Sequence, residues 1–140
     1  MTPTPVDGKI MLGLEGRWRN ELGSILEITQ TRMDGTFVGR YTSAVGNVSS
    51  SWYTAVGTWT PNTNLQSSYK EENKLTIGFS VSWNNERHGN SRSTTVWTGQ
   101  IWGTFMHTFW VLTNQLDTKE ELWNSTLIGT NVFRPDSSFN

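Results

Sequence analysis

Apolar and polar residues alternate along most of this chain, and the alternation predicts strands. In LTIGFSVSW (75–83), Leu75, Ile77, Phe79, Val81 and Trp83 fall on one face. Thr76, Gly78, Ser80 and Ser82 fall on the other. GTFVGRYTS (35–43) groups Phe37, Tyr41 and Ser43 in the same way. STTVWTGQIW (93–102), MHTFWVLTN (106–114) and WNSTLIGTNVF (123–133) are rich in β-branched and aromatic residues, which favour a pleated surface. Breakers part them: Asp34-Gly35, PNTN (61–64), Asn84-Asn85, Gly89-Asn90 and Gly103. LDTKEEL (116–122) has room for one helical turn, and no segment keeps a 3.6-residue period for long. About eight strands with short links predict an all-β fold, an eight-stranded antiparallel up-and-down β-barrel. Residues 1–15 and 136–140 read as flexible tails, which leaves 16–135 as one barrel domain.

The two faces of the strands carry different information. In 106–113, Met106, Trp110 and Leu112 share one face, while Phe109 and Val111 share the other. A strand that is apolar on both sides predicts an outer surface packed on another subunit, with Phe109, Val111 and Ile128 as its candidates. The opposite set, assigned to the interior, holds Asn20, Ser24, Tyr41, Ser43, Ser93, Thr95 and Asn131 with Trp83, Trp97, Trp110 and Leu112. Amides and hydroxyls are costly to bury unpaired, so this set is poor for a dry core. It is good for a pocket, with aromatic walls and a few convergent polar groups. Neutral donors and acceptors suit an uncharged polar head such as an amide or a urea. A phosphate would call for Arg, Lys or a Gly-rich nest.

Composition narrows the classes further. The 140 residues fit one domain, there is no cysteine, and the net charge is −1. No basic surface for nucleic acid or an anionic membrane is expected, and no apolar run is long enough to span a bilayer. MTPTPVDGKIMLG, at the N-terminus, lacks the basic and apolar regions of a secretory signal. His88 and His107, the two histidines, lie on different segments without a carboxylate cluster, so neither a metal site nor a catalytic base is expected. His88 reads as part of an exposed turn, and His107 as a strand-edge or interface residue. A hydrolase would need a base beside a nucleophile, and the pocket serines have none, so the reading is a non-enzyme without metal or cofactor. A lipocalin-like carrier of another small hydrophobic ligand is the alternative, and it would want a more aliphatic interior. Eight tryptophans exceed what a core of this size needs, and Trp18 is expected to plug the closed end.

GRWRNELGS (16–24), GRYTSAVGN (39–47), the Trp83 strand end, STTVWTGQ (93–100), TFWVL (108–112) and WNSTLIGTNVF (123–133) together resemble the avidin/streptavidin family of biotin-binding proteins. They occur in the family's order across residues 16 to 134. The resemblance implies high-affinity, non-covalent binding of biotin in the open end of a barrel, sequestration of the vitamin, a homotetramer with a dimer as the alternative, and a secreted or extracellular location. It implies that Asn20, Ser24 and Tyr41 donate to the ureido oxygen and that Ser43 and Asn131 accept from the ureido N–H groups. Thr95 would lie against the ring sulfur, with Trp83, Trp97, Trp110 and Leu112 as walls. Val45, Gly46 and Asn47 belong to the segment that closes over ligand, and Asn47, Ser91 and Ser93 would meet the valerate carboxylate. Trp123 would reach into a neighbouring subunit's pocket. Asn131 stands where some members carry Asp, which implies a hydrogen-bond network with less ionic character.

Overall fold

The computed structural model describes residues 12–44, 51–60, 74–84 and 92–136. Eight strands form one closed antiparallel barrel in chain order: β1 (Gly16–Asn20), β2 (Ile25–Thr31), β3 (Thr36–Thr42), β4 (Tyr53–Trp59), β5 (Lys74–Ser82), β6 (Ser93–Trp102), β7 (Phe105–Asn114) and β8 (Thr126–Pro135). Closure comes from β1 pairing with β8, Trp18 opposite Pro135 and Asn20 opposite Phe133. The expected all-β up-and-down barrel is therefore the fold.

Period two decides what lies inside. Ile77, Phe79 and Val81 of β5 are buried, and so are Thr95, Trp97 and Ile101 of β6. Register carries the same parity across the barrel, since Phe79 opposes Trp97 and Trp97 opposes Trp110. Phe79 and Trp97 stack with centroids 4.7 Å apart. Tyr41, Phe37 and Phe133 complete an aromatic interior around them. The outer parity forms a row in register from Val56 through Ser80, Val96 and Val111 to Ile128. Its apolar members, with Phe109, are all exposed on this chain.

Turn chemistry sets the links. Gly23 sits at φ +91°, a left-handed conformation that a side chain would strain, and it bends β1 into β2. Between β2 and β3, Asp34 Oδ1 accepts from the Thr36 N–H at 3.0 Å and from its hydroxyl at 2.7 Å.

Three expectations need correction. The helical turn falls at Lys119–Asn124, so β8 begins at Thr126 and Trp123 is not in a strand. The turn persists because both the N–H and the hydroxyl of Ser125 donate to the Leu122 carbonyl, at 3.1 and 2.7 Å. His107 lies inside β7, paired to both β6 and β8, so of its two expected places, strand edge or interface, the edge is excluded. On the outer face it stands between Phe105 and Phe109, with centroids at 6.3 and 5.1 Å. His88 lies outside the described residues. Packing also extends past the expected 16–135 limits. Leu14, in a 3₁₀ turn at Leu12–Leu14, is only 3% exposed, and its carbonyl accepts from Trp18 Nε1 at 2.9 Å. At the other end Asp136 pairs with Arg19 at 2.8 Å and donates its N–H to the Arg17 carbonyl.

Leu14→Ala is expected to destabilise the barrel by about 2–4 kcal/mol, the range for truncating a buried leucine. Chemical denaturation followed by tryptophan fluorescence measures it. An unchanged midpoint would mean that the 3₁₀ turn is not part of the core.

Candidate ligand-binding site

The β1–β2 turn builds the first part of the site. Asn20 ends β1, and its Oδ1 accepts two backbone N–H bonds, from Leu22 at 3.0 Å and from Ser24 at 2.9 Å. Two donors on the oxygen settle the side-chain orientation: Nδ2 must face away from the turn. There it reaches the Tyr41 hydroxyl at 3.4 Å. The Ser24 Oγ accepts the Ala44 N–H at 2.9 Å, and in the open cavity the Ser24 and Tyr41 hydroxyls hydrogen-bond each other. Burial pushes the Tyr41 phenol well above its ordinary value, and the nearby Glu21 charge adds to the rise against the Ser24 and Asn20 bonds. Tyr41 is thus a protonated donor at any ordinary pH.

Asn131, on β8, faces this group across the barrel. Its Oδ1 accepts from Trp97 Nε1 at 2.9 Å, while its Nδ2 donates to Glu21 Oε2 at 2.6 Å. Thr95 Oγ1 accepts from Trp83 Nε1 at 2.8 Å. Each indole N–H is therefore spent on a pocket polar group, which fixes ring and hydroxyl together. Trp83 meets Tyr41 edge-on at 5.7 Å, and Trp97 lies 4.8 Å from Tyr41. The Trp110 indole packs against Gly129, its ladder partner. A Cβ there would stand 2.4 Å from the indole, so only glycine allows this ring position.

These elements enclose a cavity of about 410 Å³ at one end of the barrel. All the sequence-predicted binding residues that are described line it: Asn20, Ser24, Tyr41, Ser43, Trp83, Ser93, Thr95, Trp97, Trp110, Leu112 and Asn131. Asn20, Ser24, Ser43, Thr95 and Asn131 are buried even with the cavity open. Val45, Gly46, Asn47 and Ser91 lie outside the described residues. Leu22, Asn114 and Leu127 also line the cavity and were not anticipated. Asn114 and Leu127 extend two inward alternations already recognised, β7 beyond Leu112 and β8 before Asn131, so period two could have found them. Trp123 does not reach this chain's cavity and is 82% exposed. Glu21 is the unexpected member: strand parity sends it outward, yet its carboxylate bonds a pocket amide from behind. Among the described residues no His, Asp and Glu side chains cluster as metal ligands.

The arrangement offers three neutral donors on one side and amide and hydroxyl oxygens on the other, between aromatic walls. It can bind a small, uncharged, planar polar group, and among the described residues it carries no nucleophile–base pair.

Known proteins are similar to this chain in sequence and fold. The sequence model of the Avidin family matches residues 9–136. Avidin-related protein 4/5 of Gallus gallus is 33% identical over 129 residues, covering 86% of this chain and 75% of that protein. Gallus gallus avidin is 30% identical over 125 residues, with 86% and 76% covered. Among solved structures, xenavidin superposes with a TM-score of 0.73 at 30% identity, covering 90% of this chain and 99% of xenavidin. A chicken protein described as a biotin binding protein gives 0.71 at 30% identity, covering 90% and 98%. The barrel, its lined cavity and a match along nearly the whole domain agree: this chain belongs to the avidin family, whose members are binding proteins and not enzymes.

Proposed function

We propose that this chain binds biotin non-covalently and with high affinity in the open end of the barrel, and sequesters it. The observation that carries the reading is the locked Asn20 amide. Its oxygen is occupied by the turn, so its N–H faces the cavity beside the Ser24 and Tyr41 hydroxyls. Three donors converging on the ureido oxygen polarise it towards an oxyanion, and such charge-assisted bonds are the stronger ones. Ser43 and the second lone pair of the Asn131 amide oxygen accept from the two ureido N–H groups. Thr95, held by Trp83, lies against the ring sulfur. Trp83, Trp97, Trp110 and Leu112 wall the bicyclic ring and the valeryl chain. Ser93, with Ser91 and the Val45–Asn47 segment, meets the valerate carboxylate. Because strands, turn and indoles hold the described polar groups before ligand arrives, little ordering cost remains for them on binding. A lipocalin-like carrier role fits less well, since an apolar ligand would offer nothing to the polar groups that Asn20, Ser24 and Asn131 turn to the cavity.

The assembly belongs to the same proposal. Val96, Val111 and Ile128 make an exposed apolar strip in register, with Phe109 beside it and Val56 beyond Ser80. We assign this strip to contacts between subunits of a homotetramer, and Trp123 to the pocket of a neighbouring subunit. Both fit a secreted or extracellular protein that must hold ligand at low concentration.

Isothermal titration at micromolar concentration is expected to show saturable heat with biotin, and its absence would end this reading. Asn20→Asp keeps the acceptor for the turn but replaces the donor. It should weaken biotin binding by about 2–3 kcal/mol with a melting temperature close to wild type. Light scattering checks the assembly. Val111→Glu with Ile128→Glu should yield smaller species, and Trp123→Ala should speed biotin release while loosening the subunits. A wild-type monomer would refute the assignment of the strip.

A further inference from the structure

We propose that Glu21, on the outside of the barrel, is a positioning residue that makes Asn131 an obligate acceptor towards the ligand. This rests on the proposed function for the identity of the ligand, though the interaction itself exists in the free protein. An asparagine amide offers a donor and an acceptor, and which of them faces a pocket is decided by its other partners. Here Glu21 Oε2 takes Nδ2 at 2.6 Å, and Trp97 Nε1 donates to Oδ1 at 2.9 Å. A flipped amide would set NH2 against the indole N–H and the carbonyl against the carboxylate, losing both bonds and adding two repulsions. The carboxylate is itself anchored, since Oε1 accepts the Val132 N–H at 2.8 Å. Glu21 thus grips the backbone of β8 with one oxygen and the side chain of Asn131 with the other. Thr108 holds the same residue from the next strand, its hydroxyl donating to the Asn131 carbonyl at 2.9 Å.

The consequence is chemical. An amide bonded from behind by a carboxylate has a more electron-rich oxygen, because successive hydrogen bonds polarise one another. The network that an aspartate would supply directly at position 131 is supplied indirectly, with the negative charge one residue further out. The surroundings let that charge persist. Arg19, Arg134 and Asp136 line the outer groove with Glu21, Tyr41 faces it from the interior, and His107 is cross-strand from Val132. Partial burial raises the Glu21 carboxyl, but the bonds from Val132 and Asn131 outweigh it and hold it below the ordinary range. A carboxyl lowered by folding supports its network above its ordinary titration range and loses it as pH falls through the lowered value. Ligand retention should weaken on acidification for this reason.

The test measures biotin dissociation rates for the full chain between pH 7 and pH 3. Glu21→Ala should speed release at neutral pH roughly tenfold, the scale of one hydrogen bond to a charged group, and Glu21→Asp should restore part of the loss. The acceleration of wild-type release at acid pH should be absent from Glu21→Ala. Asn131→Asp alone puts two carboxylates in contact and should release biotin faster still, whereas adding Glu21→Gln to it should recover slow release. A merely structural glutamate would give neither the pH difference nor this rescue. Equal rates and equal pH profiles for wild type and Glu21→Ala, or no rescue, would overturn the proposal. If wild type does not bind biotin, the ligand reading fails, and the side-chain amide NMR signals of Asn131 in the free protein decide this one. A shift that follows a titration absent from Glu21→Ala upholds it, and signals indifferent to Glu21 overturn it.

Discussion

The site depends on satisfying buried amides without using up the groups that face the cavity. Asn20, Ser24 and Asn131 are almost wholly buried, and each would be costly if left unpaired. The barrel meets the demand asymmetrically. The turn N–H groups take the Asn20 oxygen, the Ala44 N–H takes the Ser24 oxygen, and Glu21 takes the Asn131 nitrogen. What remains towards the cavity is one kind of group from each, a donor from the first two and an acceptor from the third. Specificity here is a remainder, set by what the scaffold has already consumed.

The aromatic residues serve the same end. Trp83 and Trp97 bring apolar area, but each also gives its single N–H to a pocket oxygen. A phenylalanine would fill the wall and leave Thr95 without its Trp83 bond, or Asn131 held by Glu21 alone. The ring positions are in turn set by their neighbours, with Phe79 stacked on Trp97 and Gly129 clearing space beneath Trp110. Core packing and ligand chemistry are therefore not separable in this barrel, since the upper layer of one is the lower layer of the other.

Much of this was legible in the sequence. Alternation in 75–83, 93–102 and 106–114 gave the strands and their inward faces, because a side-chain period of two admits only two assignments and the apolar set chooses one. That same alternation, joined to the family resemblance, gathered Asn20, Tyr41, Thr95 and Asn131 around one cavity. Glu21 escaped it, because parity says outward and only the turn after Asn20 folds its carboxylate back onto β8. Leu14 escaped because a 3₁₀ turn has no period to read, and its burial depends on Trp18 reaching for its carbonyl. Trp123 was read into a strand because its composition is strand-like, whereas Ser125 closing on Leu122 keeps the chain helical two residues longer.

The pairing of β1 with β8 has a consequence beyond shape. An open sheet ends in rows of unsatisfied N–H and C=O groups, and any passing strand can add to them. Pairing of Trp18–Asn20 with Phe133–Pro135 closes that edge along the seam. Among the described residues, the outer face offers copies of this chain side chains to adhere through, above all the valine and isoleucine strip. Adhesion of that kind is saturable and geometrically particular. A surface this rich in β-branched residues can thus stay exposed on one chain without seeding the indefinite growth of a fibre.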